Sequence, residues 1–302
     1  MTSARHTVVG LGELLWDIFP QGKQLGGAPA NFAYMTALLG DNGIVASRVG
    51  EDRLGDEAIW QLKSSGLDIF QIQRDAKRAT GTVLLQLDAK GQAEYRFAED
   101  VAWDHLEWTP AWKKLAESAD AVCFGSLAQR ADASRRTIQT FLKALRPGAK
   151  RIFDVNLRQK FFSKEILCES AQQASILKLN HEEMPLFREL LGIREGSDIG
   201  SARRLVQEFG IRLVCITRGA RGSLLVTATE ENEHPGFAVK VADTVGAGDA
   251  FTAALIHHAL RSAPLAAMNE AANRMGAWVA SQDGAMPLAD ETVLETVRGV
   301  GG

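Results

Sequence analysis

From residue 119 onward the chain alternates short apolar runs with amphipathic ones, and this alternation limits the possible fold more than any other feature. Residues 121–125 (AVCFG) read as a strand, 134–145 as a helix, 151–156 (RIFDVN) as a strand and 164–174 as a helix. A strand over 175–179, helices over 182–191 and 198–209, and a strand over 213–217 (LVCIT) follow. Residues 222–228 read as another strand, expected to pair with 236–241 in a late hairpin. Helices over about 247–261, 264–281 and 289–298 close the chain. Strands that alternate with helices pair in parallel, since each crossover has room for a helix, and the helices then cover both faces. The expected fold is α/β, a doubly wound, mostly parallel sheet with helices on both faces. With 302 residues, no repeat and no linker, residues 1–302 are expected to form a single domain.

The first half supplies the rest of that sheet and something extra. Residues 7–15 (TVVGLGELL) read as an apolar strand. Gly10 and Gly12 suggest a dinucleotide fingerprint, but Leu15 stands where its third glycine belongs and Pro20 where its helix should run. What remains is two acids, Glu13 and Asp17, at a strand end, where open α/β sheets bind ligands. Gly26-Gly27-Ala28-Pro29-Ala30-Asn31 reads as a turn feeding a helix that ends at Gly40. Asn31, one turn in, offers donors and acceptors that suit a polyol. A short strand over 43–49, an amphipathic helix ending at Gly66 and an extended run over 67–73 come next. Residues 80–87 and 92–97, around a turn at 88–91, form a hairpin signature out of step with the winding. It reads as a small β lid over the site or as an edge hairpin of the main sheet.

The stretch richest in chemistry is Asp243–Leu260, DTVGAGDAFTAALIHHAL. A Gly-Ala-Gly turn (Gly246, Ala247, Gly248) entering a helix presents unpaired amides at the positive end of the helix dipole, which is an anion site. Asp249 adds a carboxylate there. A negative group aimed at a bound anion suits proton removal from a hydroxyl attacking a phosphate; the plainer reading is a helix start with an acid in its first turn. Polar residues crowd the other strand ends as well. Asp154, Asn156 and Arg158 follow RIF, Asn180 and Glu183 follow SILKL, and Thr217, Arg218, Gly219 and Gly222 follow LVCI. Asn180 and Glu183 also match a capping pattern; near a phosphate they suit Mg²⁺ held largely through water.

Several functions are not expected. The net charge is −3 with no basic run, so no nucleic acid is expected as partner. No stretch is long and apolar enough for a signal peptide or a bilayer span. Cys123, Cys168 and Cys215 are scattered without a CxxC pattern, and a cytoplasmic protein without disulfides is the expectation. His257 and His258, deep in the last-named helix, read as packing or surface residues. No Walker A lysine loop, no protein-kinase signature and no GxSxG elbow occurs.

The segments GGAPANFAYMTALLG, NHEE, TRGARGS and DTVGAGDAFTAAL resemble, in order, the signatures of the ribokinase-like (PfkB-type) carbohydrate kinases. GELLWDIFP, FGSLAQR, FDVNLRQKF and GAMP resemble the bacterial fructokinase branch. The resemblance implies an ATP- and Mg²⁺-dependent sugar kinase acting on fructose. Asp249 would be the base, and Gly246, Ala247 and Gly248 the anion hole. Asp17, Gly27 and Asn31 would hold sugar hydroxyls, Phe97 would cover the sugar, and Arg158 would reach the phosphate or the sugar. Asn180 and Glu183 would organise Mg²⁺. Thr217, Gly219 and Gly222 would line the nucleotide, with Asn273 near the adenine. Asp243 and Thr244 resemble the start of a loop for a monovalent cation, K⁺. Segments 14–25 and 80–98 would form the lid, whose edges invite homodimer pairing. The alternatives are a kinase of 2-keto-3-deoxygluconate, ribose or a nucleoside, and, ranked lower, a sensor without turnover.

Overall fold

The computed structural model describes residues 5–87 and 93–301. In chain order the strands are β1 (Thr7–Leu11), β2 (Leu15–Phe19), β3 (Gly22–Gly26), β4 (Asn42–Gly50), β5 (Ile72–Asp75), β6 (Gly81–Leu87) and β7 (Ala93–Phe97). Then come β8 (Ala121–Phe124), β9 (Lys150–Asp154), β10 (Ile176–Asn180), β11 (Leu213–Thr217), β12 (Ser223–Val226) and β13 (Glu231–His234). The helices are α1 (Ala28–Leu38), α2 (Arg53–Ser64), α3 (Pro110–Ser118), α4 (Asp132–Ala144) and α5 (Lys164–Gln173). They continue with α6 (Glu183–Leu191), α7 (Asp198–Phe209), α8 (Ala247–Leu260), α9 (Leu265–Ala280) and α10 (Glu291–Gly299).

Nine strands form one sheet in the order β13-β12-β11-β10-β9-β8-β1-β4-β5. β5 to β11 pair in parallel, and β12 and β13 are antiparallel additions at one edge. This is the α/β, doubly wound architecture expected from the alternation. The chain leaves β1 toward β4 on one side and reaches β8 on the other, so the winding reverses between β1 and β8. Such a switch point opens a crevice beyond the carboxyl ends of the strands.

Alternate residues feed two cores. Val9, Val122, Phe153, Leu177 and Val214 face one buried cluster, while Val8, Cys123, Ile152, Ile176 and Cys215 face the other. The second core holds α1, α8 and α9. Residues 250–258 of α8 are all buried, as expected of a helix apolar all round. The close fit of α1 on β1 needs Gly10, where any Cβ would run into the main-chain oxygen of Pro29 in α1. Cys123 and Cys215 are buried free thiols, and His257 is buried with Nδ1 2.7 Å from Asp41 Oδ2.

β2, β3, β6 and β7 do not sit on the edge of the main sheet. β2 pairs with β3 antiparallel and with β6 in parallel, and β6 pairs with β7, giving a separate four-stranded sheet β3-β2-β6-β7. The turn expected at 88–91 lies outside the described residues. Other expectations shift. The strand expected over 7–15 ends at Leu11, because Gly12 (φ 148°) turns the chain before β2. The run over 67–73 becomes β5 at Ile72–Asp75. The partner of β12 is not 236–241 but β13 at Glu231–His234, because Thr227 N bonds Glu230 O at 2.8 Å and closes the turn early. α3 was not expected; its signal is the Thr109 cap, whose hydroxyl accepts from Trp112 N, followed by Pro110.

Candidate active site

Gly246 caps α8 with φ 76°, in the left-handed region. A Cβ there would lie 2.6 Å from Ala285 Cβ, so both the conformation and the neighbour require glycine. The first helical bond runs from Ala250 N to Gly246 O at 2.9 Å. The amides of Gly248 and Asp249 precede it and are left over at the positive end of the helix. Ala247 N instead turns back to Thr244 O at 3.3 Å.

Asp249 sits beside these amides and is partly exposed. Its Oδ2 accepts a 2.8 Å hydrogen bond from Asn31 Nδ2, which joins residues 218 apart in sequence. Burial raises the Asp249 pKa from 3.8 to about 6, and the charge of Asp154 adds to the rise. The Asn31 bond, Lys178 and Arg158 oppose it. Asn31 is buried in the first turn of α1, which Gly27 caps, and its Oδ1 has no hydrogen-bond partner among the described residues. Asp17 points from β2 over Gly26, and burial raises its pKa to about 6 against the pull of Arg158. Arg158 is exposed on the loop after β9 and interacts electrostatically with Asp17, Asp249 and Glu13. One cation thus faces three acids at the switch point. Phe97, at the end of β7, packs edge-on against Phe161, with ring centroids 5.5 Å apart.

Three further groups belong to this site: Glu13, read from sequence only as an acid at a strand end, and Lys178 and Thr252, which the sequence does not single out. Glu13, just past β1, is 3% exposed, its Oε2 lacks a partner, and burial raises its pKa to about 7. Lys178 stands directly opposite Asp154 in the β9–β10 register, and its Nζ lies 3.0 and 3.1 Å from the two carboxylate oxygens. Thr252 Oγ1 donates across this pair, 3.3 Å from Asp154 Oδ2 and 2.9 Å from Gly248 O. A Cβ on Gly248 would lie 3.0 Å from Lys178 Nζ, so the ammonium lies just beneath the anion hole. The available signal was a lysine between leucines in a buried strand (ILKLN). A small cavity beside Asp249 is lined by Ala28, Cys123, Gly125, Asp154, Asn156 and Thr252, among others.

The residues expected on the metal side are already engaged. Glu183 Oε1 accepts from Leu157 N and Oε2 from Asn180 N, each at 2.8 Å. Asn180 Oδ1 accepts from the amides of Glu182 and Glu183 at 2.9 Å. Each carboxylate oxygen keeps one lone pair, which fits an outer-sphere role through water and not direct ligation. Among the described residues no group of three or more His, Cys, Asp or Glu could hold a metal ion. Thr217 lies opposite Asn180 at the end of β11, and Gly219 and Gly222 shape the turn into β12. Asn273 is buried between α9 and β12, and its Nδ2 donates to Ser223 Oγ at 2.7 Å and Asn269 O at 2.8 Å. These bonds fix its side chain against β12. Asp243 Oδ1 accepts from Val245 N at 3.0 Å, and Thr244 is exposed.

Comparisons with known proteins identify the family. The model of the pfkB family carbohydrate kinases matches residues 12–292. A fructokinase of Escherichia coli is 31% identical over 261 residues, covering 82% of each chain. The structure of a sugar kinase of Pyrococcus horikoshii in complex with ATP superposes with a TM-score of 0.80 at 28% identity, covering 96% of this chain and 99% of the other. A Vibrio cholerae fructokinase, in a form with fructose, ADP and calcium ion bound, gives a TM-score of 0.76 at 26% identity over 99% of both chains. The chain is an ATP-dependent sugar kinase, a phosphotransferase with an alcohol group as acceptor. It belongs to the pfkB family of carbohydrate kinases.

Proposed function

We propose that the chain phosphorylates fructose, with Asp249 as general base. The observation that carries this reading is the 2.8 Å bond from Asn31 to Asp249, which brings a polyol-binding amide and the base to one point at the mouth of α8. Asp249 takes the proton of the attacking hydroxyl, and a pKa near 6 leaves it ionised yet basic at neutral pH. The left-over amides of Gly248 and Asp249, set by Gly246 and Ala247, receive the charge that develops on the transferred group. Asp17, Gly27 and Asn31 bind sugar hydroxyls, and Arg158 steers the anion. Asn180 and Glu183 would hold the water shell of Mg²⁺, which would supply neutralisation of the nucleotide's phosphate charge. Thr217, Gly219 and Gly222 line the nucleotide, and Asp243 and Thr244 begin a K⁺ loop. The four-stranded sheet acts as the lid, with Phe97 on the sugar side.

A coupled assay across fructose, ribose, 2-keto-3-deoxygluconate and a nucleoside tests the acceptor; preference for any of the last three removes fructose. Asp249→Asn is expected to lower kcat by about 10²–10⁴-fold, the range for general-base loss, with ATP affinity kept. A near-wild-type rate in that variant would refute the base assignment.

A further inference from the structure

We propose that Arg130 is a positioning residue that sets the place of Arg158 through Phe161; the proposal rests on the reading of Arg158 as a cation of the phosphoryl-transfer site. Arg130 is paired with Asp104. Its side chain is 7% exposed, and its Nε and Nη2 each lie 2.7 Å from an oxygen of Asp104. Nη2 also donates to Ala98 O at 2.6 Å, one residue beyond Phe97. The guanidinium lies 4.0 Å from the Trp103 ring centroid on one contact and 4.8 Å from that of Phe161 on another. A planar guanidinium held by a fork and by aromatic faces has little freedom, which a lysine could not reproduce.

Phe161 is where this anchor meets the site. Its amide donates to Arg158 O at 3.0 Å, and its ring packs on Phe97. The loop between is built as a fixed shape: Asn156 (φ 41°) and Gln159 (φ 48°) are both left-handed without being glycine. Such conformations persist only where neighbours hold them. The holders are visible: Glu183 grips Leu157 N at one end, Gln159 donates to Tyr95 O of β7, and Arg130 with Phe97 encloses Phe161 at the other end. The same guanidinium thus binds the end of the second sheet and the loop that carries Arg158. A purely structural Arg130 would need only Asp104, Trp103 and Ala98; the contact with Phe161 is what ties it to Arg158.

The test compares Arg130→Met, Phe161→Ala, Arg158→Met and Arg130→Met/Arg158→Met. The first readout is the NMR titration of the Asp17 and Asp249 carboxyls. Asp17 faces Arg158; Asp249 faces Arg158, Lys178, Asp154 and Asn31; Glu13 faces Asp249 and Arg158. Loss of Arg158 raises the midpoints of both aspartates. Arg130→Met and Phe161→Ala are expected to raise them too, although Arg158 is still present, and the double variant should titrate like Arg158→Met alone. The second readout is kcat/KM for the sugar. It should fall about 10²-fold in Arg130→Met, as for a reacting group misplaced by about an ångström, and no further in the double than in Arg158→Met. Wild-type midpoints in folded Arg130→Met and Phe161→Ala, or losses that add in the double, overturn the proposal. If the wild type phosphorylates no hydroxyl acceptor, the functional reading fails, and the titrations still decide whether Arg130 sets Arg158.

Discussion

The buried pair Lys178–Asp154 permits a prediction with opposite signs for two neighbouring changes. The Lys178 side chain is 9% exposed and the Asp154 side chain 6%. Lys178→Met keeps the stem and removes the ammonium. Asp154 would then keep only the Thr252 hydroxyl at 3.3 Å. Removing one partner of a buried pair costs about 3–5 kcal/mol, because the other charge is stranded. Removing both charges with residues of similar volume is often neutral or stabilising. Lys178→Met/Asp154→Leu should therefore recover most of that loss in urea unfolding at pH 7.5. Activity should separate from stability. The lysine favours the ionised form of Asp249 and Asp154 disfavours it, so the acidic limb of kcat/KM moves up in pH in Lys178→Met and down in Asp154→Asn. A Lys178→Met variant destabilised by less than ~1 kcal/mol would refute the reasoning, since the pair would not be dry enough to matter. An unmoved acidic limb would show that the ammonium does not act on the base.

Other predictions follow from the same site. In the wild type, kcat/KM should fall one-for-one with protons below about pH 6, as Asp249 takes up its proton; a flat profile down to pH 5 would exclude Asp249 as the base. Gly246→Ala should cost about 1–2 kcal/mol for the left-handed backbone and more for the clash with Ala285, and kcat should fall while the Tm drop stays modest. Glu13→Gln should stabilise the protein, and by more at pH 8 than at pH 5. The folded-state pKa of Glu13, about 7, lies above its ordinary 4.5, so its ionisation opposes folding as pH rises through that window. Calorimetry at the two pH values reads the difference, and an equal gain at both would place Glu13 in an ordinary polar setting.

How much of this could be read from the chain depends on the range over which each feature is determined. The anion hole is local. Gly246, Ala247, Gly248 and Asp249 are consecutive, and a left-handed glycine before an apolar helix is written in four residues. The strand-helix alternation is nearly as local, and it fixes the carboxyl edge on which Asn31, Asn180 and Thr217 lie. The separate four-stranded sheet is less local, because the β2–β6 pairing joins residues more than sixty apart, and nothing in either hairpin alone distinguishes this from an edge on the main sheet. The late hairpin pairs the less strand-like segment: 236–241 (GFAVKV) is the more apolar, but the Thr227–Glu230 bond closes the turn early and brings 231–234 (ENEH) against β12.

Lys178 shows where local reading stops. In sequence it is one polar residue in ILKLN, as compatible with a strand edge as with an interior. Only the register that sets it opposite Asp154, and the packing of α8 on that face, make it an ion pair under the anion hole. The same holds for Glu13 and Arg130, whose neighbours come from distant segments. The side chains of these three residues are each buried and ionisable, and Glu13 and Lys178 have apolar neighbours in sequence. A buried charge is costly unless something holds it, so such a residue signals a partner that the local sequence does not name. For Lys178 and Arg130 the partner is an aspartate, Asp154 and Asp104. For Glu13 no partner among the described residues satisfies Oε2, and that orphaned oxygen, within electrostatic reach of Asp249 and Arg158, is where binding of a hydroxylated acceptor would change the energetics most.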